Sequence, residues 1–201
     1  MAYPAFFDQL PTITVHDGLA AFLGGVDDGL LTYRYVDAVR LAGHSCPTVA
    51  GAYLLVRRAL QLLYPDRMPQ RGEVAIQFSA PLEEGVTGVI ANVASLITGA
   101  AGAGGFKGIG GRHCRMGLLD FGRAFDGVAR FERKDNGAAV QLGMATGKVA
   151  ADPRTMPLLQ KTMAGTASVE EVLEFGRLWQ ERVRKVLLEH ADDPELIFMA
   201  A

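Results

Sequence analysis

Residues 127–142 read Gly127-Val128-Ala129-Arg130-Phe131-Glu132-Arg133-Lys134-Asp135-Asn136-Gly137-Ala138-Ala139-Val140-Gln141-Leu142. Two alternating segments flank Asp135-Asn136-Gly137, and Asn-Gly in that setting is a strong short-range hairpin signal. An antiparallel hairpin among irregularly alternating helices and strands decides the class. It favours α+β, with a mixed or antiparallel sheet, over a doubly wound parallel sheet. Upstream, residues 73–79 put Val74, Ile76 and Phe78 on one face of a half-buried strand. Downstream, Asp152-Pro153 opens a helical stretch near Leu158. Ser168-Val169-Glu170-Glu171 is then a capping box for a helix carrying Val172, Phe175, Trp179, Val183 and Leu187. Residues 196–199 read as a last strand.

Further toward the N-terminus, residues 12–15 end a strand that leads into His16-Asp17-Gly18. Residues 31–35 read as a second strand and 36–41 as a short helix. After Pro47, the residues Val49, Tyr53, Val56, Leu60 and Leu63 recur at helical spacing, with Arg57 and Arg58 on the other side. Tyr64-Pro65-Asp66 stops that helix. Residues 85–97 are small and apolar nearly all round, the pattern of a helix buried on several sides. The expected organisation is one α+β domain over residues 1–150, with residues 151–201 as a helical extension packed on it.

Composition narrows the function classes. The chain has 201 residues, 49% of them hydrophobic, enough for a sizeable core. A net charge of -2 leaves no basic footprint for nucleic acid. No segment is long and apolar enough to span a bilayer, and Met1-Ala2-Tyr3-Pro4 opens no signal peptide. Two cysteines are too few for a disulfide scaffold. The cytoplasm is the expected address.

Chemistry concentrates in Gly43-His44-Ser45-Cys46-Pro47-Thr48. Pro47 has the fixed φ of a first helical position, which makes Cys46 the N-cap. Unpaired N–H groups and the positive end of the helix dipole favour a thiolate there, suited to a soft metal or to attack on an electrophile. The inert alternative is a buried cysteine that only caps. Zinc takes four such ligands, or three with water in an open position. His44 and Cys46 plus one of His16, His113 or Cys114 make an open site of that kind. His190, at the end of the capped helix, reads as a favourable C-terminal charge, and Glu83-Glu84 as a complement to the dipole of the helix that follows.

Two other motifs fail on inspection. Residues 98–111 are rich in glycine, but no frame gives Gly-x-Gly-x-x-Gly or a Gly-Lys followed by Ser or Thr. What remains is a loop whose N–H groups and Lys107 can approach an anion. No Gly-x-Ser-x-Gly nucleophile elbow is present.

The stretch Gly-His-Ser-Cys-Pro-Thr-Val-Ala-Gly-Ala-Tyr resembles the Gly-His-x-Cys-Pro-Gly segment of the FmdE family, which takes its name from formylmethanofuran dehydrogenase. The likeness continues in order. Leu96-Ile97-Thr98-Gly99 resembles that family's Leu-Thr-Gly helix end, and Phe106-Lys107-Gly108 its Gly-Lys-Gly loop. Leu119-Asp120-Phe121-Gly122 with residues 129–133 and the Asn-Gly turn resembles its Asp-Tyr-Gly and hairpin segment. The resemblance implies a fold similar to the catalytic domain of glyceraldehyde-3-phosphate dehydrogenase. It also implies a bound divalent transition metal (zinc first, then nickel or iron) and a homodimer. His44 and Cys46 match the family's ligand pair, with His16 as the expected third ligand and Lys107 as the expected contact for a small anionic or carbonyl substrate. The alternative role is a non-catalytic metal carrier or accessory module for a partner enzyme. The chain departs from the family at Ala42, where a His is common, at Val89 and Asn92, where Cys and Asp are common, and at Ala100. It also lacks the family's cysteine-rich finger.

Overall fold

The computed structural model describes residues 3–200. A 3-10 turn (Ala5–Gln9) precedes β1 (Ile13–His16), α1 (Gly18–Phe22), β2 (Leu30–Tyr33), α2 (Tyr35–Ala42) and α3 (Pro47–Leu63). Next come β3 (Val74–Phe78), α4 (Thr87–Thr98), the short β4 (Leu119–Asp120), β5 (Ala129–Arg133) and β6 (Ala139–Met144). The chain continues through α5 (Thr155–Met163) and α6 (Val169–Arg184), which runs into a π-turn (Lys185–Glu189), to β7 (Ile197–Met199).

The strands form two sheets. β1 and β2 pair antiparallel, and a five-stranded sheet runs β4-β3-β5-β6-β7. Within it only β3–β4 is parallel; β3–β5, β5–β6 and β6–β7 are antiparallel. The chain is therefore an α+β protein with a mixed sheet and a single core. The expected hairpin is β5–β6, but its loop is longer than a two-residue turn. The Arg133 N–H donates to the Ala138 carbonyl, closing residues 134–137, and Gly137 alone takes the left-handed φ of 71°. The Asn136 side chain instead accepts the Ala138 N–H.

Period-two alternation fixes which face of the sheet is dry. Ile76 lies opposite Phe131, and Phe131 opposite Val140; Phe78 lies opposite Ala129, and Ala129 opposite Leu142. Helices α3 and α4 cover this face. On the other face Arg130 pairs with Glu132 in partial contact with water. α3 is buried almost all round: Val49, Leu55, Val56 and Ala59 have no exposed surface. Each large side chain buried there contributes about 1.5–3 kcal/mol. Gly51 lets the helix press onto β6, because a Cβ at that position would collide with Met144 and Thr146. At the other end Arg133, 7% exposed, donates to the Leu63 carbonyl and stacks on Tyr64, satisfying one of the helix's orphan carbonyls.

Residues beyond 150 share this core. Val183, Val186, Leu187 and Leu196 are buried with it, and β7 completes the large sheet, with the Phe198 ring lying over Gly143. The capping box forms as expected: Ser168 Oγ accepts the Glu171 N–H, and the Glu171 carboxylate accepts the Ser168 N–H. The apolar stripe is buried only in its second half. Val172 stays 43% exposed, because the first turns of α6 rest on α5 and stand off the sheet. Among the described residues no helix is long and apolar enough to cross a membrane.

Candidate functional site

Cys46 caps α3 as its sequence dictates. Its backbone is extended, Pro47 follows at the first helical position, and its Sγ accepts the Val49 N–H at 3.5 Å. The thiol is 9% exposed. Before it, Ser45 is clamped by α2 and α6. Its carbonyl accepts from Trp179 Nε1 at 3.0 Å and Gln180 Nε2 at 3.1 Å, and its hydroxyl donates to Gln180 Oε1 at 3.0 Å. Because the Ser45 proton is committed there, the Tyr35 hydroxyl donates to Ser45 Oγ at 2.9 Å. Burial holds the Tyr35 phenol far above its ordinary pKa, so that proton stays in place.

His44 is exposed. Its Nδ1 lies 2.9 Å from the Ala42 carbonyl. A carbonyl only accepts, so Nδ1 carries the hydrogen and the neutral ring keeps its lone pair on Nε2. The ring lines a cleft of about 150 Å³ with Leu41, Ala42, Val89, Asn92 and Val93. Ala42, Val89 and Asn92 thus gather around His44.

The other expected residues go elsewhere. His16 ends β1 as expected, but its Nδ1 pairs with Gln70 Oε1 at 3.0 Å, and the ring lies so close to Gly29 that a Cβ there would strike it. His113, with a left-handed φ of 59°, and Cys114 sit in a loop rather than on a strand, and the His113 ring stacks on Phe22. Lys107 is exposed on the same glycine-rich loop. His190 ends the π-turn, paired with Asp193 at 2.7 Å. Among the described residues no group of three or more His, Cys, Asp or Glu is placed to hold a metal ion, so His16 does not join His44 and Cys46. The donor set fits a metal only in part: one imidazole and one thiol.

Sequence reading passed over the strongest charge cluster. Asp17, 3% exposed, caps α1 by accepting the Leu19 and Ala20 N–H groups on Oδ1. The same oxygen accepts from Arg115 Nη2 at 2.6 Å, and Oδ2 accepts from Arg71 Nη1 at 2.8 Å. Burial alone pushes the Asp17 carboxyl up; the Arg71 hydrogen bond, the Ala20 N–H and the Arg115 charge outweigh it and hold the group below its ordinary value. Arg71 also donates to the Leu96 and Ile97 carbonyls at the end of α4. Arg115, 6% exposed, is wedged between Gly72 and Gly99, at each of which a Cβ would strike its guanidinium. Its Nε and Nη1 are buried without a partner. A buried, unpaired donor typically costs about 1–3 kcal/mol. No motif announces this cluster, since 98 residues separate Asp17 from Arg115.

Known protein families and curated proteins offer no match to the chain.

Proposed function

We propose that the protein binds a divalent transition metal at the His44–Cys46 corner (zinc first, nickel or iron as alternatives). We read its role as a carrier or accessory module for a partner enzyme. The observation that supports this is the His44 ring. Its Nδ1–H is committed to a backbone carbonyl, the outer bond that orients metal-binding imidazoles, and its Nε2 is left to meet an ion. Cys46 supplies a sulfur donor two residues on. Two protein donors leave half of a tetrahedral shell to water or a bound molecule, and so incomplete a set favours exchange over retention. A second reading draws on the cleft beside His44, which has room for a small carbonyl or anionic compound. A metal bound there would polarise a carbonyl oxygen. Two free thiols suit the cytoplasm, and the family resemblance supports a homodimer.

The test is competition for zinc against a chromogenic chelator, comparing wild type with His44→Ala and Cys46→Ser. Serine is a good N-cap, so the second variant removes the soft donor while keeping the cap. One zinc per chain is expected in wild type, weakened about tenfold or more in each variant. Equal binding by all three proteins would overturn the proposal.

A further inference from the structure

We propose that a second ligand site, for a small carboxylic acid with an apolar body, lies in the cleft above Asp17, Arg71 and Arg115. Three observations carry it. The first is charge. Two guanidinium groups converge on one carboxylate, and Asp17 already accepts four hydrogen bonds, so one positive charge at the cleft floor is uncompensated. A single carboxylate balances it; a phosphate dianion overshoots.

The second is the unmet demand for hydrogen bonds. Arg115 is 6% exposed and spends one bond on Asp17, while Nε and Nη1 have no partner. Native proteins rarely leave such donors unanswered. Nη1 lies beside Gly99, which itself lines the cleft, and Nε lies beside Gly72. Arg115 itself lines the cleft, and its guanidinium is a planar fork, the geometry that carboxylates match with paired bonds.

The third is shape. The cleft has about 540 Å³ of space, within the range of small-molecule sites. Its upper wall is apolar, with Leu19, Leu23, Leu31 and Phe106, and Ser95 adds a hydroxyl. A charged floor under apolar walls fits an acid head with a hydrocarbon body. Inorganic anions leave those walls without a partner.

The site is separate from the His44 corner, and its test is separate too. Hexanoate, hexanol and inorganic phosphate are titrated calorimetrically into the full chain with chelator present, alongside His44→Ala. Hexanoate is expected to saturate, hexanol and phosphate are not, and His44→Ala binds as wild type does. Arg115→Met is expected to lose binding by about tenfold or more. Should that variant fail to fold, exposed Leu23 on the rim serves instead. Leu23→Lys strengthens and Leu23→Glu weakens hexanoate binding, each by about threefold at low salt. Absence of saturation by hexanoate, equal binding of hexanol, tighter binding of phosphate, or Leu23 variants that do not separate would each overturn the proposal.

Discussion

At the start of α3 the reactive side chains are two near neighbours in sequence, and others hold them in place. A proline sets the helix start, and Ser45 ties the backbone to α2 and α6. At the floor of the β1–α1 cleft the reactive side chains come from three distant segments and hold one another. In the first region chemistry and architecture are separable, because His44 and Cys46 can change without unmaking the corner. In the second they are the same atoms. Removing Asp17 leaves two arginines stranded.

The sharpest way to break this contrast is Asp17→Ala. Both guanidinium groups lose their counter-charge and α1 loses its cap, so the expected loss is about 3–5 kcal/mol, read from the urea unfolding midpoint. A loss below about 1 kcal/mol would mean that the arginines escape to water and the cluster supports nothing. Acid sharpens the same point. The folded Asp17 pKa lies below its ordinary value of 3.8, so its stabilisation is fully present above that value. It is lost as pH falls through the lower folded value, because the unfolded chain binds the proton first. Asp17→Asn should flatten this acid limb of the stability curve.

Gly99→Ala comes next. It places a side chain at φ 72° and pushes against Arg115, for an expected cost of about 1–3 kcal/mol and a shift in whatever the cleft binds. The smallest effect belongs to the α3 corner. Cys46→Ala removes the cap to Val49 and should cost about 1 kcal/mol, whereas Cys46→Ser should stay closer to wild type. A larger loss in Cys46→Ser than in Gly99→Ala would reverse the contrast, making the thiol an architectural group.

The difference also explains what the sequence made legible. The Cys46 cap, the Ser168–Glu171 box, the β3 alternation and the β5–β6 hairpin are all local, each specified within a few residues, and each forms. The buried half of the α6 stripe was legible; the exposed half was not, because standing off the sheet is decided by α5. His16 looked available because it ends a strand, yet the fold brings Gln70 to its Nδ1 and, among the described residues, places no metal-ligating partner set beside it. Asp17, Arg71 and Arg115 carry no spacing signal. Each arginine alone reads as a solvated surface charge, and only the glycines at 72 and 99 give Arg115 a place to be buried.

One pairing has a consequence for the making of the protein. β7 lies against β6, yet more than fifty residues of helix and loop come between Met144 and Ile197. While a ribosome adds those residues, the outer edge of β6 is a bare row of N–H and C=O groups with Gly143 uncovered, an invitation to pairing with a neighbouring chain. The large sheet closes only when Phe198 has emerged and laid its ring over that glycine. Slow synthesis of residues 145–196 should therefore raise the share of aggregated product, and a shortage of chaperone should raise it further.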